Sequence, residues 1–433
     1  YKNNGVRQIT TKDKANVWYA ATVYFNTTEV KDTLALVIKT YYNNTYLDKF
    51  QLVEVDYTNP AQDVSAPVIE GKTKKGPFET ENTTSYLYYD CDATDYAAYL
   101  TTLESNGFVK YSTNAYGSNE FAVYTKGNPT VNVAYTPNNG TILASENAID
   151  TLPTTKDQNV YEAKGLQPLI IQLDHNNKTN GGIGMSYIIR LADGSFIIVD
   201  GGHTETQYDN ANIIYNKLRE YAPTGEIKIA AWLITHCHSD HIGGFISFVE
   251  RYSNEVNIEQ VIYNTATYEQ FVGNAEMQSG KATQQEPILL SYINQDVFTA
   301  TIALLKLNGT KISTCHSGYK YNIRNAVIDI MFTLEDVFPN VFGVNMKDAN
   351  NTTTVFKVSF TDENVDQTLL ITGDSANPEC TAMYAKYTGD ELKSTFVQAI
   401  HHGISCGTYE LYEKMDPEVV LWPSGYSRII SQM

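Results

Sequence analysis

Residues 235–241 read Thr-His-Cys-His-Ser-Asp-His, directly after the apolar run Ala230–Ile234. That run has the length and character of a buried strand, and the residues from about Phe245 onward read as a helix. His236 and His238 are two apart on an extended segment, so both imidazoles point to the same side. Asp240 and His241 follow in the turn into the helix, where the backbone can aim them back toward the same point. Three imidazoles and one carboxylate within six residues match the nitrogen and oxygen ligands that Zn²⁺ prefers, one or two ions, with Mn²⁺ or Fe as alternatives. The chain has only 8 His in 433 residues, which makes an exposed His-rich turn the weaker reading. By alternation Cys237 points away from its two neighbours into the core.

Other polar residues stand at strand ends further along. Asp200-Gly201-Gly202 closes the strand Phe196–Val199, with a carboxylate placed to hold the ligand loop and glycines that admit close backbone approach. Thr372-Gly373-Asp374 closes Leu369–Thr372, so Asp374 projects from a terminus and can bridge two cations through its two oxygens. His401-His402-Gly403 closes Phe396–Ile400. Between these points apolar strands alternate with helices at 210–221, 290–307, 378–387 and 408–414. That interleaving predicts an α/β fold with sheets covered by helices.

Ahead of this region the character differs. Residues 1–58 read as a β-rich segment, and 59–84 read as a linker with Pro60, Pro67, Pro77 and a solvated Lys72-x-Lys74-Lys75 cluster. Residues 84–147 read as a small α+β unit with a helix over Ala93–Asn106. All eight His lie beyond residue 174, so chemistry is expected in residues 165–433 alone. The abundance of Tyr, Asn and Thr is read as suiting wet β-rich surfaces. Five scattered Cys without a CxxC pair argue against a disulfide framework and a Cys-rich zinc site. The composition and the start at Tyr1 point to an extracellular or cell-surface protein, with the cytoplasm as the other option. No apolar run is long enough for a membrane span. A formal net charge of −18 opposes a role in coating nucleic acid or an anionic membrane.

Taken together, Val199-Asp200-Gly201-Gly202, His236-x-His238-x-Asp240-His241-x-Gly243-Gly244, Thr372-Gly373-Asp374 and His401-His402-Gly403 resemble the metallo-β-lactamase-fold superfamily over about residues 165–433. The HHG ending and the ITGD strand are most similar to the ComEC-type competence proteins and related phosphorylcholine esterases. The resemblance implies a four-layer αββα sandwich with a metal site at one edge between the sheets, preceded here by a smaller β-rich, α+β region. It implies that His236 and His238 hold one metal. Asp240, His241 and one of the pair His401/His402, with His402 favoured, would hold the other, with Asp374 bridging and Asp200 supporting from behind. The family often supplies a further His to the first metal after the strand equivalent to Ala326–Phe332. Here that segment reads Thr333-Leu334-Glu335-Asp336, leaving Asp336 or His316 as substitutes; His203, beside Gly202, is a further candidate for the pocket.

The implied reaction is hydrolysis by a water that paired divalent ions acidify, with Asp240 orienting the nucleophile and His401 protonating the leaving group. A phosphodiester or phosphorylated small molecule fits the resemblance best. The acidic chain shows no basic track to neutralise successive phosphates, which weighs against a ComEC-like nuclease. The competing class is a metal-poor binding or sensing protein that keeps the fold, motivated by the missing His.

Overall fold

The computed structural model describes residues 66–79, 83–147, 152–174, 184–203, 209–223, 225–265, 298–299, 301–337, 349–362, 365–404 and 406–425. The β-rich segment expected at 1–58 and the loop around His175 lie outside the described residues. From Val64 onward the chain forms one unit.

Three sheets are built in chain order. The first is antiparallel throughout and runs β1 (Lys74–Glu79), β2 (Thr83–Tyr88), β6 (Thr141–Asn147), β5 (Thr130–Thr136), β4 (Asn119–Thr125) and β3 (Val109–Tyr116). Part of the presumed linker is therefore a strand. Lys74 and Lys75 are exposed on it, with Lys74 Nζ 4.5 Å from the centre of the Tyr86 ring and Lys75 Nζ 5.4 Å from that of Tyr89. Helix α1 (Ala93–Ser105) begins at a reciprocal cap. The Asp92 carboxylate accepts from the Thr94 and Asp95 N–H groups, and Asp95 accepts from the Asp92 N–H. It lays Tyr96, Tyr99 and Leu103 on one sheet face, against Tyr88, Tyr124, Val131 and Val133.

The second sheet runs β13 (Lys311–Thr314), β12 (Gln260–Tyr263), β10 (Lys228–Leu233), β9 (Phe196–Val199), β8 (Tyr187–Arg190) and β7 (Leu169–Gln172), with the short β11 (Asn257–Ile258) beside β10. The third runs β14 (Lys320–Ile323), β15 (Ala326–Phe332), β16 (Val355–Phe360), β17 (Leu369–Ile371), β18 (Phe396–Gln398) and β19 (Val419–Leu421). Strand alternation assigns the layers. On β9, Ile197 and Val199 face the third sheet together with Tyr187 and Ile189, where they meet Ile328, Ile330, Phe356, Val358 and Ile371. Phe196 and Ile198 face outward, under helices α2 (Asn210–Tyr221) and α3 (Ser239–Tyr252). On the far side Leu370, Val355 and Val397 pack under α4 (Asn377–Lys386) and α5 (Tyr409–Met415). The order is helix, sheet, sheet, helix, as expected from the resemblance.

The first sheet joins this sandwich along a polar seam. Asn119 Nδ2 donates to the Lys386 carbonyl (2.9 Å), Asn114 Nδ2 to Gly318 (3.1 Å), Asn138 Nδ2 to Ala385 (2.8 Å) and Asn132 Nδ2 to Ser317 (3.4 Å). Several of the asparagines read as belonging to wet surfaces are thus spent on carbonyls of the neighbouring layer; Asn119 and Asn132 are buried.

Candidate metal centre

The strands β9, β10, β17 and β18 deliver their C-terminal ends to one edge of the sandwich. After β10, Thr235 is tied to the end of β9: its N–H donates to Asp200 Oδ1 (2.8 Å) and its hydroxyl to Oδ2 (2.7 Å). This fixes the chain just before His236. His238 is the N-cap of α3, and Asp240 and His241 occupy its first turn, where the positive end of the helix suits a carboxylate. The Asp200 loop can approach α3 because both sides are glycine. A Cβ on Gly244 would stand 1.9 Å from the Gly201 oxygen, and one on Gly201 would stand 2.1 Å from the Phe245 nitrogen. In that space Gly201 N–H donates to the His241 carbonyl (2.5 Å) and Gly244 N–H to the Gly202 carbonyl (3.1 Å).

Asp374 arrives from the end of β17, and His401 and His402 from the turn after β18. Both histidines are left-handed, with φ of 48° and 55°, as is Asp200 at 52°. Three non-glycine residues held in that region cost about 1–3 kcal/mol each, strain concentrated around one point.

The side chains converge in two groups that share Asp374: His236, His238 and Asp374, and Asp240, His241, Asp374 and His402. His402 Nε2 lies 3.1 Å from Asp240 Oδ2 and 3.2 Å from Asp374 Oδ2, and His241 Nε2 lies 3.3 Å from Asp374 Oδ1. Nitrogen also faces nitrogen: His241 Nε2 and His402 Nε2 are 3.2 Å apart, and His236 Nε2 and His238 Nδ1 are 3.1 Å apart. Such pairs need a proton or a cation between them. The opposite ring nitrogens decide which is natural. His241 Nδ1 is 2.7 Å from Asp200 Oδ2, and His402 Nδ1 is 3.0 Å from the Pro423 carbonyl. A ring proton held there by an acceptor leaves Nε2 as a lone pair, the tautomer a metal requires. The donor set fits divalent cations.

The electrostatics agree. Burial works against a charged His241, yet the carboxylates of Asp374 and Asp200 outweigh it and hold its pKa well above the ordinary value. His402 is likewise opposed by burial but pushed up to about 10 by Asp374 and Asp240. Burial would raise the carboxyls of Asp240 and Asp374; the neighbouring imidazoles, led by His402, instead carry both below the usual range. His236 is lowered, chiefly by burial. Asp200 is raised by burial, which His241 and Thr235 only partly offset. In the metal-free protein the two anions are thus balanced by protons on imidazole, in positions a cation would take over.

His401 stands apart from the ligand groups. Its side chain is 27% exposed where that of His402 is 1% exposed, and its Nε2 lies 3.7 Å from Asp374 Oδ2. Its Nδ1 is 3.1 Å from Cys406 Sγ, and burial lowers its pKa. The remaining candidates go elsewhere. The Asn147 amide nitrogen lies 2.8 Å from His316 Nε2, and Glu335 Oε1 lies 3.2 Å from His316 Nδ1. Asp336 accepts from Lys386 Nζ (2.6 Å) and from the Ser317 hydroxyl. Both residues are held at the seam with the first sheet, and neither enters a ligand group among the described residues. His203 is half-exposed, with its carbonyl accepting from Asn210 Nδ2 (2.7 Å), and it too joins neither group. Three contributors escaped the sequence reading: Thr235, which orders Asp200; Pro423, which orients His402; and Cys406, which touches His401. Of these only Thr235, adjacent to the motif, carried a sequence signal.

A family model described as the metallo-beta-lactamase superfamily matches residues 179–422. Among curated proteins no relative matches the chain. Among solved structures it resembles a point mutant of the CmlA beta-hydroxylase, with 14% identity over 60% of this chain and 46% of that one, at a TM-score of 0.33. CmlA is described as a diiron enzyme from Streptomyces venezuelae, of which this chain spans less than half. YhfI from Bacillus subtilis, described as a metallo-beta-lactamase fold protein, is 11% identical over 61% of this chain and 90% of that one, with a TM-score of 0.31. The metallo-beta-lactamase GOB-18 from Elizabethkingia meningoseptica is 13% identical over 52% and 67%, with a TM-score of 0.27.

Proposed function

This chain belongs to the metallo-beta-lactamase superfamily, and on that premise we propose that it is a metal-dependent hydrolase of phosphoesters, acting on a phosphodiester or a phosphorylated small molecule. The observation that carries the reading is Asp374, shared by two ligand groups, with the non-ligand His401 beside it. Bound divalent ions would acidify a water and neutralise charge that builds on the substrate oxygens. Asp240, whose Oδ2 lies 3.1 Å from His402 Nε2, is positioned to align the attacking water. His401, with Nδ1 3.1 Å from Cys406 Sγ and Nε2 turned toward Asp374, would act from its imidazolium form, giving the Nε2 proton to the leaving oxygen and remaining as the neutral imidazole. The ComEC-type and phosphorylcholine-esterase-like branch is the one the HHG ending favours. The net charge of −18 supports a small or zwitterionic substrate over a polynucleotide.

The test uses the purified protein loaded with Mn²⁺ or Zn²⁺. Turnover of a chromogenic phosphodiester, abolished in His236→Ala, with a chromogenic β-lactam and linear DNA left intact, is the expected result. Cleavage of the β-lactam or of DNA in preference would reassign the substrate. One observation favours the competing metal-poor binder: the first group has one donor fewer than the second. Substoichiometric metal with no turnover would establish that alternative.

A further inference from the structure

The second cation group draws its donors from both sheets of the sandwich. Asp240 and His241 follow β10 of the second sheet, whereas Asp374 and His402 follow β17 and β18 of the third. Their spacing therefore depends on what joins the two sheets at this edge, and the chain just past β19 does so. Gln172 Nε2, at the end of β7, donates to the Trp422 carbonyl (2.9 Å), and the Tyr187 hydroxyl on β8 donates to Gln172 Oε1 (3.2 Å). On the other side the Ala399 N–H donates to the Leu421 carbonyl (2.8 Å).

Residues 422–424 address His402 at three points. Trp422 Nε1 donates to the His402 carbonyl (2.7 Å), the Ser424 hydroxyl donates to the same oxygen (2.8 Å), and the Pro423 carbonyl faces the ring Nδ1 (3.0 Å). His401, His402 and Gly403 are three left-handed residues in succession, with φ of 48°, 55° and 76°. Strained backbone of that kind persists only where its surroundings hold it. The indole holds it sterically as well: a Cβ at Gly403 would stand 2.1 Å from Trp422 Nε1 and 2.2 Å from Cε2, so the ring lies directly on the glycine. Of the three residues Trp422 combines the shortest bond to the His402 carbonyl, the contact with Gly403 and, through its own carbonyl, the connection to β7.

We propose that Trp422 is a positioning residue for the second cation, fixing the turn that carries His402 in register with the donors of the opposite sheet. The inference rests on the metal-centre reading above. The indole acts through His402: with the carbonyl pinned and Gly403 covered, the imidazole is held with Nε2 3.1 Å from Asp240 Oδ2 and 3.2 Å from Asp374 Oδ2. Without the indole the strained turn relaxes, and re-forming it is drawn from the affinity for the cation.

The experiment titrates chelator-stripped full-length protein with Co²⁺ by visible absorption and with Mn²⁺ by calorimetry, alongside thermal melts of the metal-free form. A His236→Ala background isolates the second group, and a His241→Ala background isolates the first. Trp422→Phe keeps a ring on Gly403 but lacks the N–H, and it is expected to weaken the second cation about 3- to 10-fold, the range of one neutral hydrogen bond. Trp422→Ala loses both contacts and is expected to weaken it about 10- to 100-fold, as for other groups that orient a ligand. Gly403→Ala is expected to cost less in the Trp422→Ala background than in wild type, because the ring it would strike is gone. The first cation is expected to bind every Trp422 variant within about twofold of wild type, the scatter of independent sites. Trp422→Phe decides the question should the alanine variant not fold. Trp422 variants that bind the second cation within about twofold of wild type would overturn the positioning role and leave the metal centre standing. Equal losses for both cations, with a lowered melting temperature of the metal-free protein, would also overturn it, because the tryptophan would then serve the fold alone. A wild-type protein that binds no cation would remove the metal-centre reading itself, and this inference with it.

Discussion

Asp200→Asn isolates the role of the carboxylate that never touches the cations. Asp200 acts only as an acceptor: Oδ1 takes the Thr235 N–H at 2.8 Å, and Oδ2 takes the Thr235 hydroxyl and the His241 Nδ1 proton, each at 2.7 Å. Asparagine has the same shape but one acceptor and one donor end. With its oxygen on Thr235 N–H, its amide meets His241 Nδ1 and can pair only by donating. The imidazole proton is then driven to Nε2, the nitrogen that faces Asp374 and His402. Flipped, the amide confronts the Thr235 N–H, donor against donor in a fully buried place. Either arrangement forfeits one hydrogen bond to a charged group, about 1.5–3 kcal/mol. Expressed as affinity, that is roughly a 10- to 100-fold loss for the second cation, since each factor of ten is about 1.4 kcal/mol. Metal titration of the stripped protein measures it, with a melt to confirm that the variant is folded. A folded Asp200→Asn protein that binds the second cation within about twofold of wild type would refute the tautomer argument, because such a loss is the usual effect of removing a group that orients a ligand.

His401→Gln is expected to retain both cations and the wild-type KM while kcat falls about 10²- to 10⁴-fold, the usual contribution of a proton donor; single-turnover kinetics with metal analysis decides it, and lost metal would make His401 a ligand instead. Cation affinity should rise with pH beyond the ordinary imidazole range, because His241 and His402 are raised in the metal-free protein, His402 to about 10, and their protons must leave as the cation binds. Titrations from pH 6 to 9 should therefore show affinity falling toward acid with protons released; a flat profile contradicts the assignment. Burial would lift the Glu335 carboxyl, but His316, Thr333 and Asn264 outweigh it and hold it below its ordinary value. That group then adds stability above about pH 4.5 which is lost as pH falls through its lowered pKa, so denaturant unfolding between pH 6 and 3 should show a weaker acid dependence in Glu335→Gln than in wild type.

Much of the site was legible because its signals are local. Four of the six ligand candidates fall within residues 236–241, and Asp374 and His402 follow strands whose apolar runs are themselves readable. The layering of the sandwich was legible from the alternation of strands and helices. What stayed hidden depends on contacts between distant segments. His316 looked available because its partners, Asn147 and Glu335, lie on separate segments of the chain. Separating His402 from His401 required the Pro423 carbonyl and the Cys406 thiol, each brought in by tertiary packing. The strand at Lys74–Glu79 was masked by its Pro77 and three nearby lysines, residues that usually mark a sheet edge or a loop, and here it is an edge.

At the seam the amides of Asn114, Asn119, Asn132 and Asn138 address main-chain oxygens of Gly318, Lys386, Ser317 and Ala385, while that of Asn147 meets the His316 ring. Every amino acid offers that same carbonyl. Substitution at Ser317, Ala385 or Lys386 can therefore leave these amide bonds in place, though not at Gly318, where a Cβ would stand 2.1 Å from Phe121, nor at His316; loss of an amide on the sheet side removes a clasp outright. Distant homologues that share this attachment would be recognised by a pattern of amides on one partner and, on the other, by little beyond a histidine and a glycine.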